Sequence, residues 1–130
     1  MAKIVNRRKC RRFEIPGGKV RYRGIRLLTL LKGFSKSHPM VSISKGGVAF
    51  VCQEKFSKGQ EIITQLLVPN KTPLNLRARV QWQDPSSGNG ERVVGVEFQS
   101  FGPGKDHNSY QALEILRKLD VQYGNSVSGI

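Results

Sequence analysis

The clearest pattern along the chain is a strict alternation of apolar and polar residues that begins at position 74. Leu74, Leu76, Ala78, Val80 and Trp82 are apolar, and every residue between them is polar or charged. A period of two places the apolar side chains on one face of an extended strand. We therefore predict a strand with one buried and one solvated face, and we expect Trp82 to pack in the core.

A second alternating segment follows after a short connector. Val94, Val96 and Phe98 are separated by single residues, and the connector, "DPSSGNG", is rich in residues that favour turns. Two alternating runs joined in this way are typical of a β-hairpin. The sequence from 74 to 98 therefore predicts a long antiparallel pair.

Four earlier segments are also predicted to be strands, because they are apolar, contain β-branched residues and end at Gly, Pro or Asn. For the second of them the stretch "IRLLTLLKG" is equally compatible with one or two helical turns. The third is expected to run without interruption through "KGG". The four segments are Phe13 to Ile15, Val20 to Leu31, Val41 to Cys52 and Ile62 to Val68.

The period changes near the end of the sequence. Leu113, Leu116 and Leu119 recur at helical spacing, with Asn108 as the expected N-cap and Gln111 as its capping-box partner. Gly124 is the expected end of this helix. The leucine face is predicted to cover an opening of the sheet.

About six strands followed by one helix predict a mainly β fold. An antiparallel six-stranded β-barrel or a tight sandwich with a C-terminal α-helix fits this order of elements. We expect a flexible basic arm over 1–12, the barrel over 13–102, the helix over 103–124 and a disordered tail over 125–130.

Charge adds information about the binding partner. The 130 residues carry a formal net charge of +13, and half of the cations fall in the first quarter of the sequence. Such a bias favours a polyanion, which includes nucleic acid, a nucleotide, an anionic membrane surface and an acidic protein. Two cysteines do not suggest a disulfide framework, so we expect a reducing cytoplasm. No apolar run has the length of a signal peptide core or a transmembrane helix, and we expect no membrane insertion.

The sequence lacks the residue patterns of an enzyme site. His38 and His107 lie in different connectors without metal-ligand spacing, and the carboxylates form no obvious acid and base pair. No phosphate-binding loop, nucleophile elbow or dinucleotide fingerprint is present. We therefore expect a binding protein that needs neither a metal nor a cofactor.

Two short motifs have the chemistry for recognising a nucleotide. The first is Arg8 and Arg12 within "RRKCRRF", and the second is "SISKGG", from Ser42 to Gly47. A guanidinium group can bond bidentately to a phosphate or to the O6/N7 edge of guanine, and it can stack on a purine. On a strand, hydroxyls two residues apart share one side, and glycine allows a flat ligand to approach the backbone.

These motifs resemble those of the PilZ domain family, Arg-x-x-x-Arg in an N-terminal arm and [Asp/Asn]-x-Ser-x-x-Gly on a barrel strand. The resemblance continues through "FSKGQEIITQLLVP", "LRARVQW" and "VVGVEF". It implies a bacterial receptor for the second messenger cyclic di-GMP, which binds often as an intercalated dimer. The arm of such a domain folds over the ligand against the barrel.

The resemblance implies a set of ligand-binding residues. Arg8 and Arg12 match the arginine pair, and a register that uses Arg7 and Arg11 is the second possibility. In the strand motif Ser44 and Gly47 match, whereas Ser42 replaces the Asp or Asn of the family. Losing a charge-assisted bond there costs about 1 to 2 kcal/mol, or roughly ten-fold in affinity. The expected cyclic di-GMP contacts are therefore Arg7, Arg8, Arg12, Ser42, Ser44 and Gly47.

The expected function is a cytoplasmic adaptor that orders its arginine arm over cyclic di-GMP and signals through protein contacts in motility, biofilm formation or virulence. One alternative is a basic β-barrel that binds nucleic acid, although interleaved exposed aromatic residues are missing from the strands. Another is a PilZ-like domain that contacts proteins and no longer binds the dinucleotide. Trp82 has an alternative role as well, stacking on a ligand base at the barrel rim.

Overall fold

Six antiparallel strands close into a barrel in the computed structural model, which describes residues 11–25, 33–85 and 90–124. Around the barrel the strands follow the order β1-β2-β3-β6-β5-β4. One helix, α1, spans Tyr110–Leu119 and continues into a π-helical turn at Asp120–Gly124. The strands are β1 Lys19–Gly24, β2 His38–Ile43, β3 Gly47–Cys52, β4 Glu61–Leu67, β5 Leu74–Pro85 and β6 Arg92–Phe98. The predicted fold, a six-stranded barrel with a C-terminal helix, is confirmed.

Alternate residues of each strand fill the interior of the barrel. Val20, Ile43, Phe50, Leu66 and Val94 are among the fully buried side chains. Their neighbours in sequence point outward, which is the period of two that the sequence shows. The helix adds its own apolar face to the same core through Ala112, Leu116 and Leu119, whereas Leu113 is only partly buried. No helix in the described ranges has the length and apolar character needed to cross a bilayer.

The hairpin of β5 and β6 is confirmed, but it contains a β-bulge. Val80 pairs with Val96 and Trp82 pairs with Gly95, so Gln81 is an extra residue between two consecutive pairs. One inserted residue reverses the face on which the following side chains lie. Trp82 therefore lies on the outer face with 39% of its surface exposed. The prediction that Trp82 packs in the core is wrong.

The segment from 41 to 52 is a hairpin, and the prediction of one uninterrupted strand is wrong. Ile43 of β2 pairs with Val48 of β3 in antiparallel orientation. The Ser44 amide donates to the Gly47 carbonyl at 2.8 Å, which closes a tight turn over Lys45 and Gly46. Lys45, Gly46 and Gly47 therefore reverse the chain where a strand was expected to continue.

The first and second predicted strands are shorter in the structure than in the prediction. Phe13 forms an isolated antiparallel bridge with Ile43 and belongs to no longer strand among the described residues. Strand β1 ends at Gly24. Ile25 lies in a bend, and the rest of the predicted strand, over 26–31, lies outside the described residues.

The helix begins one residue later than predicted. Ser109 is the N-cap, and its hydroxyl accepts a hydrogen bond from the Ala112 amide at 3.0 Å. Asn108 instead bonds to β5, where its Oδ1 accepts from the Arg77 amide at 2.8 Å and its Nδ2 donates to the Arg77 carbonyl at 3.0 Å. An amide side chain offers both a donor and an acceptor, so it can satisfy both backbone groups of one residue. The predicted N-cap thus fastens the start of the helix to the barrel.

Candidate functional site

The N-terminal segment is fastened to the barrel at Phe13. The Phe13 amide donates to the Ile43 carbonyl at 2.8 Å, and the Ile43 amide donates back to the Phe13 carbonyl at 2.9 Å. Both side chains are buried, at 3% and 0% exposure. The residue before Phe13 is therefore held beside the end of β2, because the chain enters the core at a fixed point.

From this position the Arg12 side chain contacts the strand motif. Its Nη1 donates to the Ser42 hydroxyl at 3.0 Å, across 30 residues of sequence. A guanidinium group has five N–H donors, and this bond occupies one of them. The other donors of the exposed Arg12 side chain make no hydrogen bond or ion pair with the described residues. Arg12 is therefore a fixed cation with donor capacity left for an anion or a base edge.

The two motif serines have different environments. Ser42 lies on β2 and is partly exposed, whereas Ser44 lies beyond the end of β2 and is 5% exposed. The Ser44 hydroxyl accepts a hydrogen bond from the Gly46 amide at 3.0 Å, a bond that shapes the turn. The expectation that the two hydroxyls share one strand face is wrong, because the strand ends between them.

Gly47 is required by the packing of the barrel. It pairs with Glu97 of β6, and a Cβ atom at this position would lie 2.1 Å from the Val96 carbonyl oxygen. A backbone atom cannot move away without breaking the pairing of β3 and β6. The absence of a side chain at Gly47 therefore has a cause within the fold, independent of any ligand.

Arg11 contacts a different element from its neighbour. Its Nη2 lies 3.0 Å from Oδ1 of Asp120, the residue at which the helix passes into the π-helical turn. The Asp120 side chain is 18% exposed, and a Cβ on Gly124 would lie 2.3 Å from the same oxygen. The two consecutive arginines thus join the N-terminal segment to both the barrel and the C-terminal turn. Sequence analysis missed Asp120, since its partner is 109 residues away.

The described part of the predicted site consists of Arg12, Ser42, Ser44 and Gly47. The hydrogen bond from Arg12 to Ser42 brings the arginine motif against the strand motif, and the turn with Ser44 and Gly47 follows directly. Arg7 and Arg8 lie outside the described residues and remain predicted contacts.

A row of small residues crosses the outer face of the barrel from Ser42. Strand pairing places Ser42 beside Ala49, Ala49 beside Gly95 and Gly95 beside Trp82. Four neighbouring strands span roughly 14 Å at the usual spacing. The indole lies across Gly95, where a Cβ would approach to 2.2 Å from its Cε2 atom. Ala49 is only 3% exposed and Gly95 is buried, so the row is covered between Arg12, near one end, and the partly exposed Trp82 at the other.

A second polar cluster lies at the opposite ends of β1 and β3. The Tyr22 hydroxyl donates to Oε1 of Glu54 at 2.9 Å, and the Tyr22 ring stacks on His38 with centroids 5.3 Å apart. Burial raises the pKa of Tyr22 and of Cys52, and burial lowers the pKa of His38. These three groups are therefore neutral near pH 7, as expected for groups that close the end of a core. The described residues contain no cluster of side chains suited to holding a metal ion.

Comparison with known proteins agrees with the motifs. The family model of the PilZ domain matches residues 6–113, which include both motif segments and all six strands. The solved structure of the Bacillus subtilis inhibitor of motility (MotI/DgrA) is similar, with a TM-score of 0.51 and 14% sequence identity. The match covers 81% of this chain and 47% of that one, so this chain spans about half the length of the inhibitor. At this identity the likeness bears on the fold alone. No curated protein matches the sequence.

Proposed function

Because the chain belongs to the PilZ domain family, we propose that it is a bacterial cytoplasmic receptor for cyclic di-GMP. The ligand orders the arginine arm over the barrel, and the resulting surface is recognised by a protein partner. The observation that carries this proposal is the 3.0 Å hydrogen bond from Arg12 to Ser42. It brings Arg12, the last residue of the arm, into contact with the strand motif.

The ligand offers the groups that an arginine arm recognises. Cyclic di-GMP has two phosphates and two guanines, and a guanidinium group can bond to either in a bidentate manner. Arg12 has donors left for such a contact. Arg8, four residues before Arg12 in the sequence, is proposed to bind the second phosphate or a guanine edge, with Arg7 as the alternative partner.

The residues of the strand motif have different proposed roles, since one contacts the ligand and the others shape the site. Ser42 has an accessible hydroxyl, so we assign it a direct hydrogen bond to a guanine edge or a water-mediated one. Ser44 and Gly47 hold the turn and the pairing of β3 with β6, so we assign them the shape of the site. The charged or amide side chain of the family's contact is replaced here by a shorter neutral hydroxyl, because Ser42 stands in the Asp or Asn position.

Trp82 is the proposed far wall of the site. The indole is 39% exposed at the end of the small-residue row, so it can stack against a purine. Base stacking on aromatic side chains contributes about 1 to 3 kcal/mol per base. Such stacking would compensate for the weaker contact at Ser42.

The Arg11 to Asp120 contact supports the proposed route of signalling. Ligand phosphates attract the cations of the arm, and Arg11 is the cation that also contacts the C-terminal turn. Movement of the arm would therefore change the surface around Asp120. A partner protein that contacts this turn could distinguish the free receptor from the bound one.

A nucleic-acid module is the second candidate, and one observation favours it. The outer faces of β1 and β5, which lie on either side of β4, carry a group of cations at alternate positions, which are Lys19, Arg21, Arg23, Arg77 and Arg79. The aromatic residue at an outward position of these strands in the described ranges is Trp82, which follows Arg79 on β5 and does not lie between the cations. A salt-dependent affinity for any polyanion is the most that this surface predicts.

The proposal is tested by isothermal titration of the chain with cyclic di-GMP at two salt concentrations. RNA and single-stranded DNA are titrated under the same conditions. Saturable dinucleotide binding that is abolished in Arg12→Ala and retained in Arg21→Ala supports the receptor. Strong salt-dependent RNA binding with no heat from cyclic di-GMP at high micromolar concentration would favour the nucleic-acid module. Absence of binding to both would leave the protein-contact domain as the function.

A further inference from the structure

A cavity lies beside the β5 bulge, on the far side of Trp82 from the small-residue row. It has a volume of about 400 Å³ and is bounded by the connection between β3 and β4 and by residues 80–83 of β5. The Gly59 amide donates to the Val80 carbonyl at 2.8 Å, so the connection is fastened to β5 next to the cavity. The walls of the cavity are therefore part of the ordered barrel.

The charged residues lining the cavity are all cations. They are Lys55, Lys58 and Arg92, and no carboxylate is among the described residues that line it. None of the three takes part in a salt bridge within the described ranges. Three cations around one concave space create a positive potential that attracts an anion.

The amide side chains that line the cavity already form hydrogen bonds within the protein. Gln81 donates to Oε1 of Glu97 at 3.1 Å. Gln83 accepts from the Phe56 amide at 2.9 Å and donates to the Glu54 carbonyl at 2.6 Å. By contrast, the Nε of Arg92 is buried and has no hydrogen-bond partner in the described structure. The unpartnered donors of the described lining are thus three cationic side chains and the indole N–H of Trp82, and the cations favour an anion.

We infer that this cavity binds the phosphate group of a small nucleotide-like ligand. Lys55, Lys58 and Arg92 contact the phosphate, and the partly exposed indole of Trp82 contacts the attached flat ring. The site is separate from Arg12 and Ser42, and it does not depend on the proposed binding of cyclic di-GMP. Trp82 lies between the two sites and borders both.

The test uses the single tryptophan of the chain as a reporter. The indole N–H resonance of Trp82 is followed by NMR while the full chain is titrated with GMP, and guanosine serves as the probe that lacks a phosphate. Sodium chloride keeps the ionic strength constant. We expect a saturable shift with GMP and none with guanosine at the same concentration.

Variants separate the cavity from the arm. Arg92→Gln and Lys58→Gln are expected to weaken GMP binding at least ten-fold, whereas Arg12→Ala and the matched surface control Lys71→Gln leave it unchanged. Thermal unfolding of each variant establishes that the barrel is intact, and Arg92→Lys provides a second variant that keeps the charge. We expect Arg92→Lys to retain part of the affinity.

Three results would overturn the inference. The first is no saturable shift of the Trp82 indole with GMP. The second is an unchanged GMP affinity in a folded Arg92→Gln variant. The third is loss of the GMP response in Arg12→Ala, which would place the ligand at the arm. Failure of cyclic di-GMP to bind would contradict the proposed receptor function and leave this titration unaffected.

Discussion

Two outer walls of the barrel differ in the side chains they present. The motif wall, defined by Ser42, Ala49, Gly95 and Trp82, is uncharged and built mainly from small residues. The basic wall, on the other side, is defined by five cations, Lys19, Arg21, Arg23, Arg77 and Arg79. The proposed ligand site is on the motif wall, where the local charge comes from the arm. A high density of cations therefore attracts anions in general, whereas small residues beside one fixed arginine can select a shape.

The contacts of the basic wall support this distinction. Arg79 lies 3.2 Å from Glu61, and both side chains are about half exposed. The guanidinium carbon of Arg23 lies 4.8 Å from the centre of the Phe34 ring. Exposed pairs of this kind add little to stability. The basic wall thus contributes mainly a long-range field that is screened by salt.

The largest loss of stability is expected when a methyl group is added to Gly47, at the start of β3. Gly47→Ala places a Cβ 2.1 Å from the Val96 carbonyl oxygen, and backbone atoms of two paired strands must separate to admit it. We expect a loss of about 3 kcal/mol or more in the free energy of unfolding, measured by urea denaturation. Gly95→Ala is the matched variant, because its close neighbour is the Trp82 side chain, which can rotate. An equal loss in both variants would contradict the assignment of Gly47 to barrel packing.

The next largest effect is a difference in cyclic di-GMP affinity between variants of two arginines, one that contacts the motif wall and one on the basic wall. Arg12→Ala removes the cation that bonds to Ser42, and Arg21→Ala removes an exposed cation of the basic wall. We expect Arg12→Ala to weaken cyclic di-GMP binding about 30- to 100-fold, or about 2 to 3 kcal/mol. Arg21→Ala should change the affinity less than about three-fold, and the change should vanish at high salt. Calorimetry at two salt concentrations measures both, and equal losses would mean that net charge alone governs binding.

The sequence predicted the elements of both walls because alternation in hydrophobicity is a local property. Strands β4, β5 and β6 were recognisable from residues two positions apart, and the helix from its leucine spacing. The barrel follows from packing six such strands around one core. For the site, the local motifs identified Arg12 and Ser42, and the structure places their side chains in contact.

Features that depend on residues far apart in the sequence could not be predicted from local patterns. The β5 bulge is set by how Trp82 and Gly95 pair across the hairpin, and no residue type near Gln81 signals it. The adjacent polar residues Asn108 and Ser109 are both suitable N-caps, so only the position of β5 decides which one caps the helix. The contact of Arg11 with Asp120 likewise requires the folded chain.

A moderate effect is expected from changing the serines of the motif. Ser42→Asp restores the residue type of the family and offers a charged acceptor to guanine N–H groups, so we expect cyclic di-GMP to bind about ten-fold more tightly. Ser44→Ala removes the bond to the Gly46 amide, and we expect a loss of about 1 kcal/mol in the free energy of unfolding. Calorimetry and urea denaturation measure the two quantities. Weaker binding by Ser42→Asp would show that the carboxylate holds Arg12 away from the ligand.

The smallest effect is expected from protonation of His38, which is buried inside the barrel and belongs to neither outer wall. Burial lowers the pKa of His38 from its ordinary value of 6.5, so below pH 6.5 the unfolded chain binds this proton more readily than the folded one. The free energy of unfolding should therefore fall as the pH decreases from 6.5, and this contribution should be absent above 6.5. Urea denaturation from pH 5 to 8 measures it, with His38→Gln as the variant and His107→Gln as the exposed control. The proposed cyclic di-GMP contacts include no histidine, so the affinity of the folded protein for this ligand should be constant over the same range, and a parallel decrease in affinity would link the site to the interior.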